Sequence, residues 1–341
     1  MRILALAHRY VPVHNAGAET HLHSLLRALA SRGHDVVVHL SRQQGQPYPL
    51  DGVHVLPAAA TADTVRAVTG ADVLVAHLEC TPAATRLGRW NDRPVVLVHH
   101  NNLQVTKDAV TAPGTRVDLV VCNSLWMQRD LLDHLAAVEG RPRVITVRPL
   151  VRAADYATMP GDRVTLVNLR RMERSPGGAV MGKGAELFWS LAERMPDVKF
   201  LAVRGAYGGQ MVRQLQNVEV LDHVPAHEMR DRVYARTRVL LMPSSYESWG
   251  RVGVEAMCSG IPVIAHPTPG LLESLGMGGV FFDRKDVAGW EAALRGLADP
   301  DVYRAAAARA LHRSAQLDPT EDLDRWCDAV EQTVSRMPVR I

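Results

Sequence analysis

The sequence predicts an α/β protein made of two doubly wound domains that face a central cleft. Three observations predict it. Short apolar runs alternate with amphipathic stretches along the chain, which implies parallel sheets covered by helices on both faces. The alternation stops and restarts near Pro149–Asp162. A length of 341 residues is more than one comfortable core accommodates, and it suits two domains of roughly 150 residues each.

In the first half, strands are expected at Ile3–Ala7, Asp35–Leu40, Val53–Leu56, Val73–His77, Val95–His99, Leu119–Cys122 and Val144–Val147. Helical patterns over Glu19–Ser31, Pro82–Trp90 and Leu125–Ala136 separate several of them. Pro149, Pro160 and Gly161 then break both periods. In the second half, strands are expected at Val164–Asn168, Val198–Val203, Val218–Leu221, Val239–Met242, Pro262–Ala265 and Val280–Phe282. Helices are expected around Ala185–Arg194, His227–Thr237, Arg251–Cys258 and Val287–Ala298, and a last one over Thr320–Met337 with Asp318 or Thr320 as cap. The domains are therefore 1–150, 151–318 and a helical segment, 319–341, expected to return toward the first domain. Open sheets of this kind bind ligands beyond the carboxyl ends of their strands, so the site is sought there.

Composition narrows the class. With 47% hydrophobic and 22% charged residues, the chain reads as a soluble globular enzyme. A net charge of +3 gives no indication of nucleic acid or an anionic membrane as partner. Lysine occurs only at Lys107, Lys183, Lys199 and Lys285, so a lysine flanked by glycines stands out. Cys80, Cys122, Cys258 and Cys327 lack the short spacing of a zinc or redox motif and read as structural thiols. The first residues run straight into a strand without the pattern of a signal peptide. No apolar run approaches the ~20 residues of a membrane span, and a cytoplasmic location is expected. Asp299-Pro300-Asp301 and Asp322-Leu323-Asp324 imitate a metal-binding pair. Their helix-end and helical positions mark them as capping or solvated residues, and no metal or other cofactor is expected.

The most informative stretch runs from Pro243 to Ala265: Pro-Ser-Ser-Tyr-Glu-Ser-Trp-Gly-Arg-Val-Gly-Val-Glu-Ala-Met-Cys-Ser-Gly-Ile-Pro-Val-Ile-Ala. It reads as strand, turn, helix, glycine stop and strand. Glu247 lies in the turn, placed to grip sugar hydroxyls, and Gly250 allows close approach of the backbone to a ligand. The helix opening near Gly250 favours a phosphate at its first N–H groups. Glu255 lies further along that helix, where a carboxylate can accept hydrogen bonds from a ribose.

Two glutamates separated by seven residues and followed by Ala-Met-Cys-Ser-Gly-Ile-Pro-Val-Ile-Ala closely resemble the retaining glycosyltransferases of family four, which have the GT-B fold. The resemblance implies that Glu247 contacts the donor sugar and is catalytic. It implies that the backbone of Ser248, Trp249, Gly250 and Arg251 meets the diphosphate and sugar, and that Glu255 holds the ribose. Val164–Asn168 followed by Gly182-Lys183-Gly184 resembles the strand and Lys-Gly pair that open the donor domain. Lys183 is then the charge that stabilises the leaving diphosphate. Asn168 and Gly184 line the same place. The loop from Leu169 to Met181 offers Arg170, Arg171 and Arg174, of which Arg170 is preferred as a second diphosphate ligand.

His14-Asn15-Ala16-Gly17-Ala18-Glu19 resembles the family's Gly-Gly-x-Glu loop, with Gly17 approaching the phosphates and Ala16 departing from the pattern. Glu19 is expected to cap or line the first helix turn. His99 and His100 close a strand where related enzymes place a histidine beside the donor sugar, His100 fitting slightly better. Leu221-Asp222-His223-Val224-Pro225 resembles the loop whose backbone reads the base, through His223 and Val224. Pro269-Gly270-Leu271-Leu272-Glu273 matches the turn after the motif strand, Glu273 being either a donor ligand or a solvated helix residue.

The resemblance therefore implies a retaining, metal-independent transferase. It takes a nucleotide-sugar donor, with UDP the nucleotide common in the family, and a hydroxyl acceptor. A small molecule or saccharide is the expected acceptor. A nucleic-acid, protein or lipid acceptor is the first alternative; Arg86, Arg89 and Trp90 are the candidates for a lipid surface, and a solvated helix face explains them equally well. A nucleotide-sugar epimerase, a phosphorylase or a non-catalytic nucleotide-sugar binding protein on the same fold is the second.

Overall fold

The computed structural model describes residues 1–174, 180–206 and 208–336. It divides into two units, Met1–Leu150 with Thr320–Ile341, and Val151–Pro319. Part of the arginine-rich loop, and Met337 at the end of the expected last helix, lie outside the described residues.

The first unit carries β1 (Arg2–Ala7), β2 (Asp35–Leu40), β3 (Tyr48–Leu50), β4 (Val53–Leu56), β5 (Val73–His77), β6 (Val95–His99), β7 (Leu119–Cys122) and β8 (Arg143–Thr146). They form one sheet in the order β3-β4-β2-β1-β5-β6-β7-β8, parallel except where β3 meets β4. The two-residue period of β1 divides its side chains between two layers. Ile3, Ala5 and Ala7 join Leu22, Leu25, Leu26 and Leu29 of the helix Gly17–Ser31. Leu4 and Leu6 join Leu74, Leu97 and Leu131 on the other face. The last helix, Thr320–Ser335, packs within this unit, and the buried Trp326 donates from Nε1 to Leu25 O at 2.8 Å.

The second unit carries β9 (Arg163–Val167), a short antiparallel pair β10 (Glu173–Arg174) and β11 (Val180–Met181), then β12 (Phe200–Val203), β13 (Val218–Leu221), β14 (Thr237–Met242), β15 (Val263–Ala265) and β16 (Gly279–Phe281). Its main sheet is parallel, in the order β13-β12-β9-β14-β15-β16. Counted along the chain this is 3-2-1-4-5-6, so the winding reverses between β9 and β14. The loops that leave those two strands flank the switch point, where such sheets bind ligands.

Several elements differ from expectation. The edge strand β3 escapes a strand search because it is three residues long and holds Pro49, which only an edge position tolerates. The helix Thr61–Gly70 buries no residue, and Gln104–Thr111 buries only Thr106 and Val110, so neither has a strong apolar period. Pro300–Ala315 buries only Ala306 and Ala310, too small to mark a face. The expected helix His227–Thr237 is instead two turns of 3-10 helix around the single turn Met229–Arg232, and Thr237 begins β14. Tyr234 is drawn into the core there, which interrupts the helical path.

Of the two Asp-x-Asp sequences, Asp299 caps its helix, accepting from Asp301 N at 2.7 Å and Val302 N at 3.3 Å. Asp322 is a correction. It is buried rather than solvated and accepts from Arg148 Nε at 2.5 Å and Arg325 Nη1 at 2.6 Å. All four cysteines are buried free thiols, and burial pushes Cys80 and Cys122 up to about 12. No helix among the described residues is long and apolar enough to cross a membrane.

Candidate functional site

Two loops of the second unit, one after β9 and one after β14, hold the residues singled out by the sequence. Gly182 N donates to Ser245 Oγ and Ser245 N to Gly182 O, both at 3.0 Å, which ties the loops together. Gly184 has φ +79°, and a Cβ there would lie 2.5 Å from Pro243 O. Only glycine therefore allows this approach, and it sets Lys183 against the motif loop.

Lys183 Nζ donates to Glu247 Oε1, which also accepts from Ser244 Oγ at 2.9 Å. The side chains are partly open, 30% exposed for Lys183 and 13% for Glu247. A cation and a carboxylate that pair in a half-open place can exchange each other for ligand groups of opposite kind. Gly270 lets the helix Pro269–Leu275 press on this loop, since a Cβ there would lie 2.2 Å from Glu247 O.

Glu255 lies on the helix Arg251–Met257 and is only 4% exposed. Its two oxygens hold different partners. Oε2 accepts from Tyr234 Oη at 2.5 Å, and Oε1 lies 2.7 Å from Arg251 Nε. Arg251 Nη2 continues to Tyr156 Oη at 2.5 Å. Sequence reasoning missed Tyr156 and Tyr234, which lie 99 and 21 positions from Glu255 by number and carry no motif of their own. The expected role of Arg251 concerned its backbone, and its side chain carried no expectation. That side chain turns inward to Glu255 and Tyr156, because the buried carboxylate needs a compensating charge.

The remaining expected residues fall as follows. Asn168 Oδ1 accepts from Arg170 N at 3.1 Å. Arg170 Nη2 donates to Glu173 Oε2 at 3.0 Å, and its carbonyl accepts from Lys183 N at 3.5 Å. Arg171 Nε donates to Gln210 O at 3.1 Å, while Arg174 is exposed on the β10 edge. Trp249 is 3% exposed, and its Nε1 has no hydrogen-bond partner among the described residues. Gly250 precedes its helix with φ +85°. That helix runs for seven residues, Arg251–Met257. His223 is exposed and Val224 is buried beside Met229 and Tyr234. Glu273 O accepts from Arg313 Nη2 at 2.6 Å within its helix context. Gly182, Lys183, Gly184 and Glu247 are thus one constellation and Glu255 with its partners another, both within the second unit.

In the first unit, the histidines at the end of β6 part company. His100 is the middle of a buried chain, with Nε2 2.7 Å from His21 Nδ1 and Nδ1 3.0 Å from His77 Nε2. Burial, and then its histidine neighbours, hold His100 well below its ordinary pKa. Burial lowers His77 to about 4. A neutral His100 must therefore donate at one ring nitrogen and accept at the other. His99 points to the opposite layer, beside the Lys107–Asp130 pair. Its Nε2 has no hydrogen-bond partner among the described residues, and burial lowers it to about 4. Gly17 is the first residue of the helix Gly17–Ser31, and a Cβ there would meet nothing within 4 Å. Glu19 follows in that first turn, and burial raises its carboxyl pKa. No three His, Cys, Asp or Glu side chains among the described residues converge as metal ligands.

Comparison with known proteins bears on both units. Residues 15–146 match the family described as Glycosyltransferase Family 4, and residues 185–299 match Glycosyl transferases group 1. The chain is 26% identical to a glycogen synthase of Mycobacterium tuberculosis over 403 aligned residues, covering 95% of this chain and 91% of that protein. It is 28% identical to a D-inositol 3-phosphate glycosyltransferase of Xylanimonas cellulosilytica, covering 95% and 93%. Among solved structures, HepE of Anabaena in complex with UDP-glucose superposes with a TM-score of 0.74 at 18% identity, covering 97% of this chain and 99% of that one. Sucrose-phosphate synthase of Thermosynechococcus elongatus gives 0.73 at 15%, covering 98% and 100%.

Proposed function

The chain belongs to the family-four glycosyltransferases, with the GT-B fold of two doubly wound α/β units, and from that premise we propose the particulars of its reaction. It transfers a sugar from a nucleotide-sugar donor, with UDP as the nucleotide, to a hydroxyl of a small molecule or saccharide, with retention at the anomeric carbon. The observation that carries the donor assignment is the Lys183–Glu247 pair at the switch point of the second sheet. It puts one cation and one hydrogen-bond acceptor for hydroxyls where an α/β sheet binds its ligand.

In this reading Glu247 exchanges Lys183 for hydroxyls of the donor sugar, and Lys183 turns to the diphosphate. Arg170, whose carbonyl meets Lys183 N, supplies a second cation. Glu255 takes the ribose, and the backbone of Ser248 to Arg251 lines the diphosphate and sugar. No metal is required, because the cations are side chains. The bond from the anomeric carbon to the phosphate oxygen breaks, and the bond to the acceptor oxygen forms on the same face. The acceptor's proton moves to the departing phosphate oxygen. Lys183 and Arg170 stabilise the charge that grows on that phosphate, so their effect is larger in the transition state than in the ground state. A role for His99 or His100 at the sugar would be that of a neutral imidazole, since both are held below the ordinary range.

The saccharide or small-molecule acceptor is supported by the names of the relatives, a glycogen synthase and a D-inositol 3-phosphate glycosyltransferase. The test is release of nucleoside diphosphate from UDP-, GDP-, ADP- and TDP-sugars with glucan oligosaccharides or inositol phosphates as acceptors. NMR of the product reads the anomeric configuration. Acceptor-dependent release with retained configuration supports the reading. Inverted product overturns retention, and rearrangement of the donor without acceptor indicates an epimerase.

A further inference from the structure

Glu255 is held from both sides, and the manner of holding has a consequence for donor choice. We propose that Tyr234 and Arg251 are positioning residues that orient the Glu255 carboxylate for a ribose diol, so that discrimination between ribonucleotide and 2′-deoxyribonucleotide donors runs through this trio. The inference rests on the assignment of Glu255 to the ribose.

The geometry is specific. Tyr234 Oη donates to Oε2 at 2.5 Å, and Arg251 Nε lies 2.7 Å from Oε1 as an ion pair, one partner on each oxygen. Tyr234 takes one of the two acceptor directions of Oε2, while Arg251 pairs with Oε1 by charge without aligning a hydrogen bond, so at least one direction remains on each oxygen. That is the number the two hydroxyls of a ribose need. Tyr234 is fully buried, and burial together with Glu255 drives its phenol well above the ordinary range. It therefore keeps its proton and can offer it to Glu255. Arg251 is fixed in turn by Tyr156, whose Oη lies 2.5 Å from Nη2. The rings of Tyr156 and Tyr234 meet edge to face, with centroids 6.0 Å apart. A planar guanidinium spans Glu255 and Tyr156 at once, which a lysine ammonium does not do.

The experiment is titration calorimetry of the full chain with UDP, GDP and ADP and with their 2′-deoxy counterparts. The readout is the ratio of deoxy to ribo Kd within each variant, which a smaller folded fraction does not move. The native chain is expected to favour the ribonucleotide by about tenfold or more, the size of one charge-assisted hydrogen bond. Glu255→Ala is expected to bring the ratio near one. Tyr234→Phe is expected to do most of the same by weakening ribonucleotide binding alone, and Arg251→Lys gives the same readout if Tyr234→Phe does not fold. A Tyr234→Phe and an Arg251→Lys that both keep the native ratio, or that weaken both nucleotide kinds equally, overturn the positioning role and leave Glu255 as the ribose ligand. A native ratio near one, or no binding of any of the nucleotides, overturns the Glu255 assignment and this inference with it.

Discussion

Lys183 and Glu247, 64 positions apart in the chain, meet side chain to side chain, Nζ donating to Oε1. The contact depends on two glycines that let backbones approach. Gly184 lies against Pro243, and Gly270 lies against Glu247 itself. The pair sets one cation against one carboxylate in a partly open place, the arrangement on which the proposed donor site rests.

Lys183→Ala should depress turnover far more than it weakens nucleotide binding. A charge used mainly on the leaving group acts in the transition state, and loss of such a stabilising group costs about 100- to 1000-fold in kcat. Steady-state kinetics with the donor sugar identified by the release assay measures it. An unchanged kcat would remove Lys183 from the reaction.

Gly184→Ala should destabilise the second unit. The φ of +79° alone costs a side chain about 1–3 kcal/mol, and the 2.5 Å approach to Pro243 O adds to it. Urea unfolding followed by tryptophan fluorescence reads the loss. A variant of native stability would show that this loop relaxes freely.

Acid should weaken the first unit between about pH 6.5 and 4. Burial holds His77 and His99 near 4 in the folded chain, against an unfolded value of about 6.5. The unfolded state thus binds more protons in that window, and stability falls as pH falls, by about 1.4 kcal/mol per pH unit for each histidine. Below the folded values the loss is complete. His99→Asn should make the acid limb of a Tm-against-pH curve shallower than that of the native chain.

Chelation should leave activity intact. The proposed charges on the diphosphate are Lys183 and Arg170, so EDTA at millimolar excess is expected to change neither donor Kd nor turnover. A loss restored by one divalent cation would contradict the metal-independent account.

The sequence revealed the parts whose chemistry is local. Alternating apolar runs outlined most of the strands that form the sheets, and the Glu247–Glu255 spacing marked the motif because strand, turn and helix follow within one stretch. What stayed hidden is what tertiary packing decides. Tyr234 reads as an ordinary helical residue until the fold brings it to Glu255. The side chain of Arg251 has no role legible in the sequence until the fold turns it inward to Glu255. His21 and His77 give no sign in sequence that they will enclose His100. The helix Pro300–Ala315 escaped because alanines can cover a core without marking a face.

The central claim is a nucleotide-sugar site in the second unit, and thermal shift tests it most directly. The purified chain is screened without added metal against UDP, GDP, ADP, TDP and their common sugars, beside Glu255→Ala. The account predicts a rise in Tm with one nucleotide, UDP foremost. That rise should shrink in the variant by an affinity loss of about 1.5–3 kcal/mol. No shift with any nucleotide, or an equal shift in native chain and variant, would contradict it.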